Sequence, residues 1–372
     1  MMASDVLPQE PLPEPLNSIL NLARWAPSGD NTQPWRFEVI DENRFVVHGF
    51  DTRSECVYDL DGHGSQLSLG ALLETIAIAA TAHGREADIR HRSDSPEQTP
   101  LFDVLLRPSA LAADPLAASI QTRSVQRRPL SMRALTSDEK QVLEAAVKPG
   151  FTLLWIEGWP GKWAAARLMF ANAKLRLTMR EAYEVHRRII DWGKRFSEDK
   201  IPDQSFGLDP LTLRLMRWVM ASWKRVRFFN TFLAGTLSPR IQLDLAPSLA
   251  CGAHFALLAN RAPETLMDYV EAGRRVQRFW LTADHLGLQL QPEMTPLIFA
   301  RYLREGCRFT AQEEILKAAS PLATRLGNLL GEGLERAVFM ARIGAGPRAQ
   351  SRSLRLPLQK IETRRDSVAQ GQ

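Results

Sequence analysis

The stretch Ala26-Pro27-Ser28-Gly29-Asp30-Asn31-Thr32-Gln33-Pro34-Trp35-Arg36-Phe37 lies between a short apolar segment, 19–25, and a strand-like pattern at 37–40. Because it consists largely of small polar residues and two prolines, it predicts a loop that joins a helix to a strand. Such a loop can offer backbone N–H groups, a hydroxyl and amide side chains to a ligand. From the residues alone, an ordinary turn built on Asx hydrogen bonds fits equally well.

The composition is that of a globular protein. The 372 residues suffice for one large domain or two ordinary ones, and 45% are hydrophobic while 24% are charged. The net charge of +5 is mild, and cofactor phosphates would explain basic clusters at 85–92, 187–195 and 214–227 without nucleic acid. We therefore expect no nucleic-acid partner.

Several features indicate a cytoplasmic protein. The three cysteines, Cys56, Cys251 and Cys307, are widely spaced and form no metal or redox motif. The N-terminus lacks the charged and apolar regions of a secretion signal. No apolar run approaches the ~18 residues that a membrane span needs. We expect a cytoplasmic location and no membrane association.

The pattern along the chain predicts two consecutive units. We assign 1–14 to a mobile Pro-rich arm, 15–110 to a first unit, 111–360 to a second unit and 361–372 to a polar tail. In both units the patterns predict helices and strands in alternation. The predicted strands are 37–40, 44–50, 101–106, 151–156, 297–301 and 337–343, and the predicted helices are 19–25, 65–83, one opening at Thr136, 162–185, 211–233, 248–258 and 268–286.

The loop at 26–37 closely resembles the flavin loop of the nitroreductase superfamily of FMN-dependent oxidoreductases, Pro-Ser-x-x-Asn-x-Gln-Pro-Trp. The resemblance implies that Pro27, Ser28, Gly29 and Asn31 contact FMN. It also implies an α+β, nitroreductase-like fold with mostly antiparallel sheets flanked by helices. Gln33 and Trp35 in the same loop are expected to be structural.

A faint internal repeat suggests that a dimer has been fused into one chain. Ile78-Ala-Ala80-Thr-Ala-His-Gly84 aligns with Leu281-Thr-Ala283-Asp-His-Leu-Gly287. Members of the superfamily are usually homodimers that bind FMN at the subunit interface, where an Arg-rich motif of one subunit meets the loop of the other. The first unit keeps the loop but lacks the Arg motif. The second has the motif Thr122-Arg123-Ser124-Val125-Gln126-Arg127-Arg128-Pro129 but only a remnant of the loop, 147–155.

One complete pair of loop and motif predicts one FMN in an intrachain pseudo-dimer, similar to the double-length mycobacterial Acg-like branch. Arg123 and Arg127 would share one face of a helical turn and could clamp the phosphate, with Ser124 at the small hydroxyl position. The spacing alone favours a solvated basic turn; the resemblance reverses that preference and favours the clamp.

Two further segments are assigned through the resemblance. Gly287 and Leu288 map onto the pair after the central helix whose backbone N–H faces the flavin, although a C-cap glycine is the simpler explanation. Arg355, in Ser353-Leu354-Arg355-Leu356-Pro357, maps onto a segment that reaches the FMN phosphate, and Arg348 and Arg352 lie close by. No metal site and no catalytic side chain are expected, since the flavin performs the chemistry.

The resemblance implies an FMN-dependent NAD(P)H oxidoreductase in which NADH or NADPH reduces the flavin and a flat small-molecule electron acceptor, such as a nitroaromatic or a quinone, reoxidises it. The chain would be a monomer or a homodimer. The alternative is a non-enzymatic FMN-binding or storage protein whose flavin is covered by a lid. The insertion at about 180–245 lies outside the resemblance, and its loop 193–210 is the candidate lid. Its helix, 211–233, could be a packed surface helix or a membrane-surface helix.

Overall fold

The first half of the chain forms one antiparallel sheet around two helices. The computed structural model describes residues 12–232 and 235–364. The elements of this half are α1 (Leu16–Ala23), β1 (Trp35–Val39), β2 (Arg44–Gly49), α2 (His63–Thr81), β3 (Arg85–His91) and β4 (Leu101–Pro108). The sequence did not predict β3, because this edge strand is rich in charged residues. The other elements lie within a few residues of their predicted positions.

The second half contains a second sheet and the insertion. Its helices are α3 (Ser137–Ala146), α4 (Gly158–Thr178), α5 (Arg180–Ile189), α6 (Pro210–Met220), α7 (Trp223–Phe232), α8 (Leu237–Arg240), α9 (Ala246–Leu249), α10 (Leu266–His285), α11 (Thr295–Arg304) and α12 (Glu313–Leu330). Its strands are β5 (Phe151–Ile156), β6 (Ile190–Asp191), β7 (Phe196–Ser197), β8 (Ile201–Pro202), β9 (Ala253–Ala259), β10 (Leu288–Pro292), β11 (Ala337–Ala345), β12 (Arg352–Ser353) and β13 (Glu362–Arg364).

The two sheets share one topology. The first has the order β1-β2-β4-β3 and the second the order β5-β9-β11-β10, and every neighbouring pair within these runs is antiparallel. A long helix follows the second strand in each case, α2 after β2 and α10 after β9. The predicted α+β fold with two antiparallel sheets is therefore confirmed.

The contact between α2 and α10 has the symmetry of a dimer interface. A methyl group on Gly70 would lie 1.9 Å from the carbonyl oxygen of Val270, and one on Gly273 would lie 2.1 Å from that of Leu67. The offset that aligns Gly84 with Gly287 also aligns Gly70 with Gly273 and Leu67 with Val270. The two glycines thus allow a close, two-fold helix crossing where any side chain would clash.

The end of the chain returns to the first unit. Strand β13 pairs in parallel with β1, with Phe37 opposite Glu362. The residues of β13 belong to the predicted polar tail, 361–372, of which 365–372 lie outside the described residues. Of the predicted N-terminal arm only 12–14 are described, and there Leu12 is buried in the core of the first unit.

Four predicted elements were wrong. Residues 248–258 are not a helix, because β9 lies in the middle of its sheet and is buried along its whole length, so its apolar run carries no period. Residues 297–301 belong to helix α11, which begins with Pro296 in its first turn. The helix predicted at 162–185 is broken at Met179, which has an extended backbone. The helix predicted at 211–233 is two helices, α6 and α7.

Candidate functional site

The loop between α1 and β1 is held in a strained shape by its own side chains. Asp30, Asn31 and Gln33 have φ of 51°, 63° and 50°, a region that residues other than glycine rarely adopt. The fully buried Gln33 donates to the carbonyl oxygen of Glu198 (2.9 Å), and its own oxygen accepts from the Leu356 N–H (2.9 Å). Such strain persists where the surroundings fix it, which is common at ligand sites.

Four arginines gather behind this loop. Arg123 donates to the Trp25 carbonyl oxygen (2.7 Å), Arg355 to that of Ala26 (2.8 Å) and Arg24 to that of Leu356 (3.0 Å). The fourth, Arg352, stacks over the Trp25 ring at 5.0 Å. We call Arg24, Arg123, Arg352 and Arg355 the arginine cluster. The arginine cluster brings together segments that are far apart in the sequence.

Burial and the repulsion among its positive charges disfavour the charged form of the arginine cluster. Burial, together with the nearby charge of Arg352, lowers the pKa of Arg123 to about 9. The pKa of Arg355 is lowered well below its ordinary value by burial and by Arg123, Arg352 and Arg24. Guanidinium groups almost never lose their charge in proteins, so this arrangement calls for an anion.

Some hydrogen-bond donors in and beside the arginine cluster have no acceptor among the described residues. Within the described ranges, the Nε atoms of Arg123 and Arg352 and the indole nitrogen of Trp25 are buried without a hydrogen-bond partner. Asp284, whose charge acts on Arg123 and Arg352, is already bound by Thr122 (2.6 Å) and Arg348 (3.0 Å). A phosphate group would supply both the charge and the missing acceptors.

The Arg motif is not helical, so the prediction that Arg123 and Arg127 share one face of a helical turn was wrong. Val125 forms a parallel bridge with Leu290 of β10, and the Gln126 N–H donates to the Leu290 carbonyl oxygen (3.0 Å). At ~3.3 Å per residue, Arg123 and Arg127 are separated by about 13 Å along the chain. Only Arg123 joins the arginine cluster, and Arg127 lies at the other side of the loop, where it donates to the Ser205 hydroxyl (3.2 Å).

Arg127 borders a second group of polar side chains. Asp30, Tyr58, Arg127, Arg176 and His186 act electrostatically on one another, and each keeps some accessible surface. We call this group of side chains the polar cleft. The sequence singled out Arg127, and Asp30 lies in the quoted loop, whereas Tyr58, Arg176 and His186 come from distant positions and form no motif.

The polar cleft contains groups whose protonation is shifted. Burial raises the pKa of Asp30 from 3.8 to about 6, although the charges of Arg127 and Arg176 oppose this. Burial, helped by Arg176, lowers the pKa of His186 to about 3, so its imidazole is neutral at physiological pH. The Tyr58 hydroxyl and His186 Nε2 share a hydrogen bond of 3.0 Å, and Arg176 pairs with Asp244 at 3.0 Å.

A segment of the insertion crosses the loop. We call residues 193–206 the strap. Its strand β7 pairs in parallel with β12, and the Glu198 carbonyl oxygen accepts from Asn31 Nδ2 (3.0 Å) as well as from Gln33. Ser205 at the end of the strap contacts Arg127. The strap therefore lies on the loop and beside the polar cleft, at the place where the sequence predicted a lid.

The structure locates the remaining predicted residues as follows. The Ser28 hydroxyl accepts from the Gln33 N–H (3.0 Å), Gly29 is exposed, and Pro27 is partly buried. Ser124 is buried beside Arg123 in the extended motif. Gly287 ends α10 with φ of 73°, and its N–H donates to the Asp284 carbonyl oxygen (3.0 Å), while Leu288 is buried in β10. The Gly287 N–H is thus engaged at the helix end.

Within 12–232 and 235–364, no group of three or more His, Cys, Asp or Glu side chains could hold a metal ion. None of the helices in these ranges is long and apolar enough to cross a bilayer.

Comparison with known proteins points to one family. Residues 6–53, which include the loop, match the Nitroreductase family. Two proteins provisionally named NAD(P)H nitroreductases, from Mycobacterium tuberculosis strains CDC 1551 and H37Rv, are each 28% identical over 143 residues. These matches cover 38% of this chain and 41% of each relative, so the chain spans less than half the length of the relatives it matches.

Two solved structures are also similar. The nitroreductase-like family protein from Bacillus cereus is 14% identical and covers 68% of this chain and 96% of its own, with a TM-score of 0.32. The FMN-dependent nitroreductase NfnB from Mycobacterium smegmatis, in complex with NADPH, is 15% identical and covers 65% of this chain and 94% of its own, also with a TM-score of 0.32. Likenesses at this score carry no weight for the fold. The matched segment and the mycobacterial relatives confirm the predicted resemblance to the nitroreductase family.

Proposed function

We propose that the chain is an FMN-dependent NAD(P)H oxidoreductase of nitroreductase type, which binds one FMN between its two units and reduces a flat electrophile such as a nitroaromatic or a quinone. The observation that carries the proposal is the arginine cluster. Its buried, unpartnered N–H groups lie directly behind the loop that matches the family.

The arginine cluster would hold the phosphate. Arg123 and Arg355 are anchored to the carbonyl oxygens of Trp25 and Ala26, so their remaining N–H groups are preorganised. Charge-assisted hydrogen bonds to a phosphate dianion would relieve the repulsion among the four guanidinium groups. Ser28, Gly29 and Asn31 would border the rest of the cofactor from the loop.

The polar cleft would bind the flavin ring of FMN. Bound FMN would supply the redox chemistry, since it can take up a hydride, which is two electrons and one proton, from the donor and pass two electrons to the acceptor. Arg127 lies about 13 Å along the extended motif from the phosphate arginine, and a cation there would stabilise negative charge on a reduced ring. Burial raises the pKa of Asp30 to about 6, so Asp30 would carry a proton in acidic solution and would be the proton donor of the cleft.

A second candidate function is FMN binding without turnover. The strap favours it, because its hydrogen bonds to Asn31 and Gln33 and its pairing with β12 hold it firmly over the loop. A strap that never opens would keep acceptors away from the flavin.

The purified chain distinguishes these functions. Acid release and absorbance should give one FMN per chain, and NADH or NADPH should bleach the flavin spectrum without oxygen until a nitroaromatic or quinone restores it. One FMN that neither NADH nor NADPH bleaches would favour the storage function. A chain that binds no FMN would exclude both, and two FMN per chain would contradict a single site.

A further inference from the structure

The α6–α7 pair carries large apolar side chains in water. We call residues 210–232 the basic hairpin. Leu211 is 76% exposed, Trp218 51%, Phe228 54% and Phe232 70%. Leu211, Leu215 and Trp218 recur at the spacing of one helix face, and none of the eleven residues of α6 is buried. The apolar stripe of α6 is therefore not packed into the protein.

The same hairpin is strongly and uniformly positive. It contains no Asp or Glu between 210 and 232, whereas its five cations are all exposed: Arg214, Arg217, Lys224, Arg225 and Arg227. The Arg225 guanidinium stacks over the exposed Trp218 ring at 4.5 Å. Cations, indole and phenyl rings thus share one surface.

The inner side of the basic hairpin is firmly attached. The Tyr183 hydroxyl of α5 donates to the Met220 carbonyl oxygen (3.2 Å), and its ring packs on Trp223 at 5.3 Å. Asn230 donates to the Leu177 carbonyl oxygen of α4 (2.9 Å), and Val226 is buried. The hairpin is held as a rigid projection whose outer surface has no cover within the described residues.

We propose that the basic hairpin binds the surface of an anionic lipid bilayer. The cations would meet negative headgroups, while the leucines and aromatic rings would enter the interfacial region. A second copy of the chain fits less well, because a symmetric contact would place five cations against five. Nucleic acid would satisfy the cations but leave Leu211 and Phe232 in water.

This inference departs from the sequence expectation of no membrane association, and it is independent of the FMN site. The sequence pattern allowed the apolar stripe of a single helix to pack inward. The break at Ala221–Ser222 and the exposure of α6 remove that explanation.

The test is sedimentation of the full chain with vesicles of phosphatidylcholine, with or without phosphatidylglycerol. Binding should require phosphatidylglycerol and weaken with salt. The variant Arg214→Gln/Arg217→Gln/Lys224→Gln should lose affinity by about fivefold for each cation removed. Leu211→Ser/Phe228→Ser/Phe232→Ser should also detach from the vesicles while keeping the thermal unfolding of the wild type.

Matched controls come from exposed residues elsewhere, Arg325→Gln on α12 and Leu111→Ser, which is 68% exposed. Both controls should bind vesicles like the wild type. Equal binding to both kinds of vesicle, or equal loss in the controls, would overturn the proposal. Tighter binding to duplex DNA than to anionic vesicles would also overturn it. So would a dimer, seen by light scattering, that dissociates in the Leu211→Ser/Phe228→Ser/Phe232→Ser variant.

Discussion

The loop after α1 and the loop after α3 occupy equivalent places in the two units, yet they differ in nearly every respect. The first spans 24–34, has only Gly29 exposed and backs onto the arginine cluster. The second is only 147–150, and its Lys148, Pro149 and Gly150 are exposed. An Arg motif paired with the second loop would precede the first unit, and residues 1–14 contain no Arg or Lys. Sheet topology and helix crossing are thus retained in both units, whereas the features of a ligand site are found in one.

The largest effect should come from removing cluster arginines. Arg123→Ala and Arg355→Ala should each weaken FMN binding by on the order of 1.5–3 kcal/mol, and the double variant should bind no measurable FMN. Fluorescence titration of the apoprotein with FMN measures this.

Arg275→Ala is the matched control, because Arg275 contacts the second loop through the Lys148 carbonyl oxygen (3.4 Å). It should leave FMN affinity and stoichiometry unchanged. A loss of FMN from this variant, as large as that from Arg123→Ala, would show that both loops serve the cofactor.

A smaller effect is expected from Gln33→Ala. This change leaves the Leu356 N–H without its buried partner and removes one of the two side-chain donors to the Glu198 carbonyl oxygen, so it should lower the free energy of unfolding by about 2–3 kcal/mol. Urea unfolding measures it. Thr32→Ala, at the partly exposed neighbour, should cost less than about 1 kcal/mol. Similar costs for both variants would mean that Gln33 does not hold the loop in shape.

Asp30 should also make the contribution of the first loop to stability depend on pH. Its pKa is raised from 3.8 to about 6 in the fold, so the native state binds the proton more tightly than the unfolded chain. Its contribution to stability is therefore fully present below pH 3.8 and is lost as the pH rises through about 6. The difference in melting temperature between wild type and Asp30→Asn should shift in favour of the variant over that range. A difference independent of pH would contradict the raised pKa.

The smallest effect should come from the strap. Replacing the strap, 193–206, with a glycine-serine linker should leave FMN bound but speed flavin reoxidation by oxygen and widen the range of acceptors. Stopped-flow absorbance measures the reoxidation. A variant that matches wild type in both respects would show that the strap is not a lid.

Local chemistry made much of the fold predictable. Thr136 caps α3 with the expected capping box, since its hydroxyl accepts from the Glu139 N–H (3.1 Å) and Glu139 bonds back to the Thr136 N–H. The loop and Trp35, fully buried in the first core, were also found from short-range pattern. In contrast, β9 is buried on both faces and therefore carries no period that separates strand from helix.

The candidate site was only partly predictable, for a related reason. Arg123 and Arg355 were found because each lies in a motif, and Arg352 was noted as a neighbour of the second. Arg24 carries no such signal, and neither do Tyr58, Arg176 and His186 of the polar cleft. Tyr58 and His186 are 128 residues apart and meet only when the insertion folds against the first unit.

The arginine cluster also determines when, during synthesis, the proposed phosphate site can form. Arg24 and Arg355, which share a hydrogen bond, are separated by 331 residues. At about 5–20 residues per second, translation leaves roughly 15–70 s between them. For almost all of that interval the emerging chain contains the loop but lacks Leu356, whose N–H binds Gln33, at least two of the four guanidinium groups, and the edge strand β13. A chain whose synthesis stops before Arg352 would therefore lack the proposed phosphate site, and FMN bound there would mark the molecules in which that segment has been made.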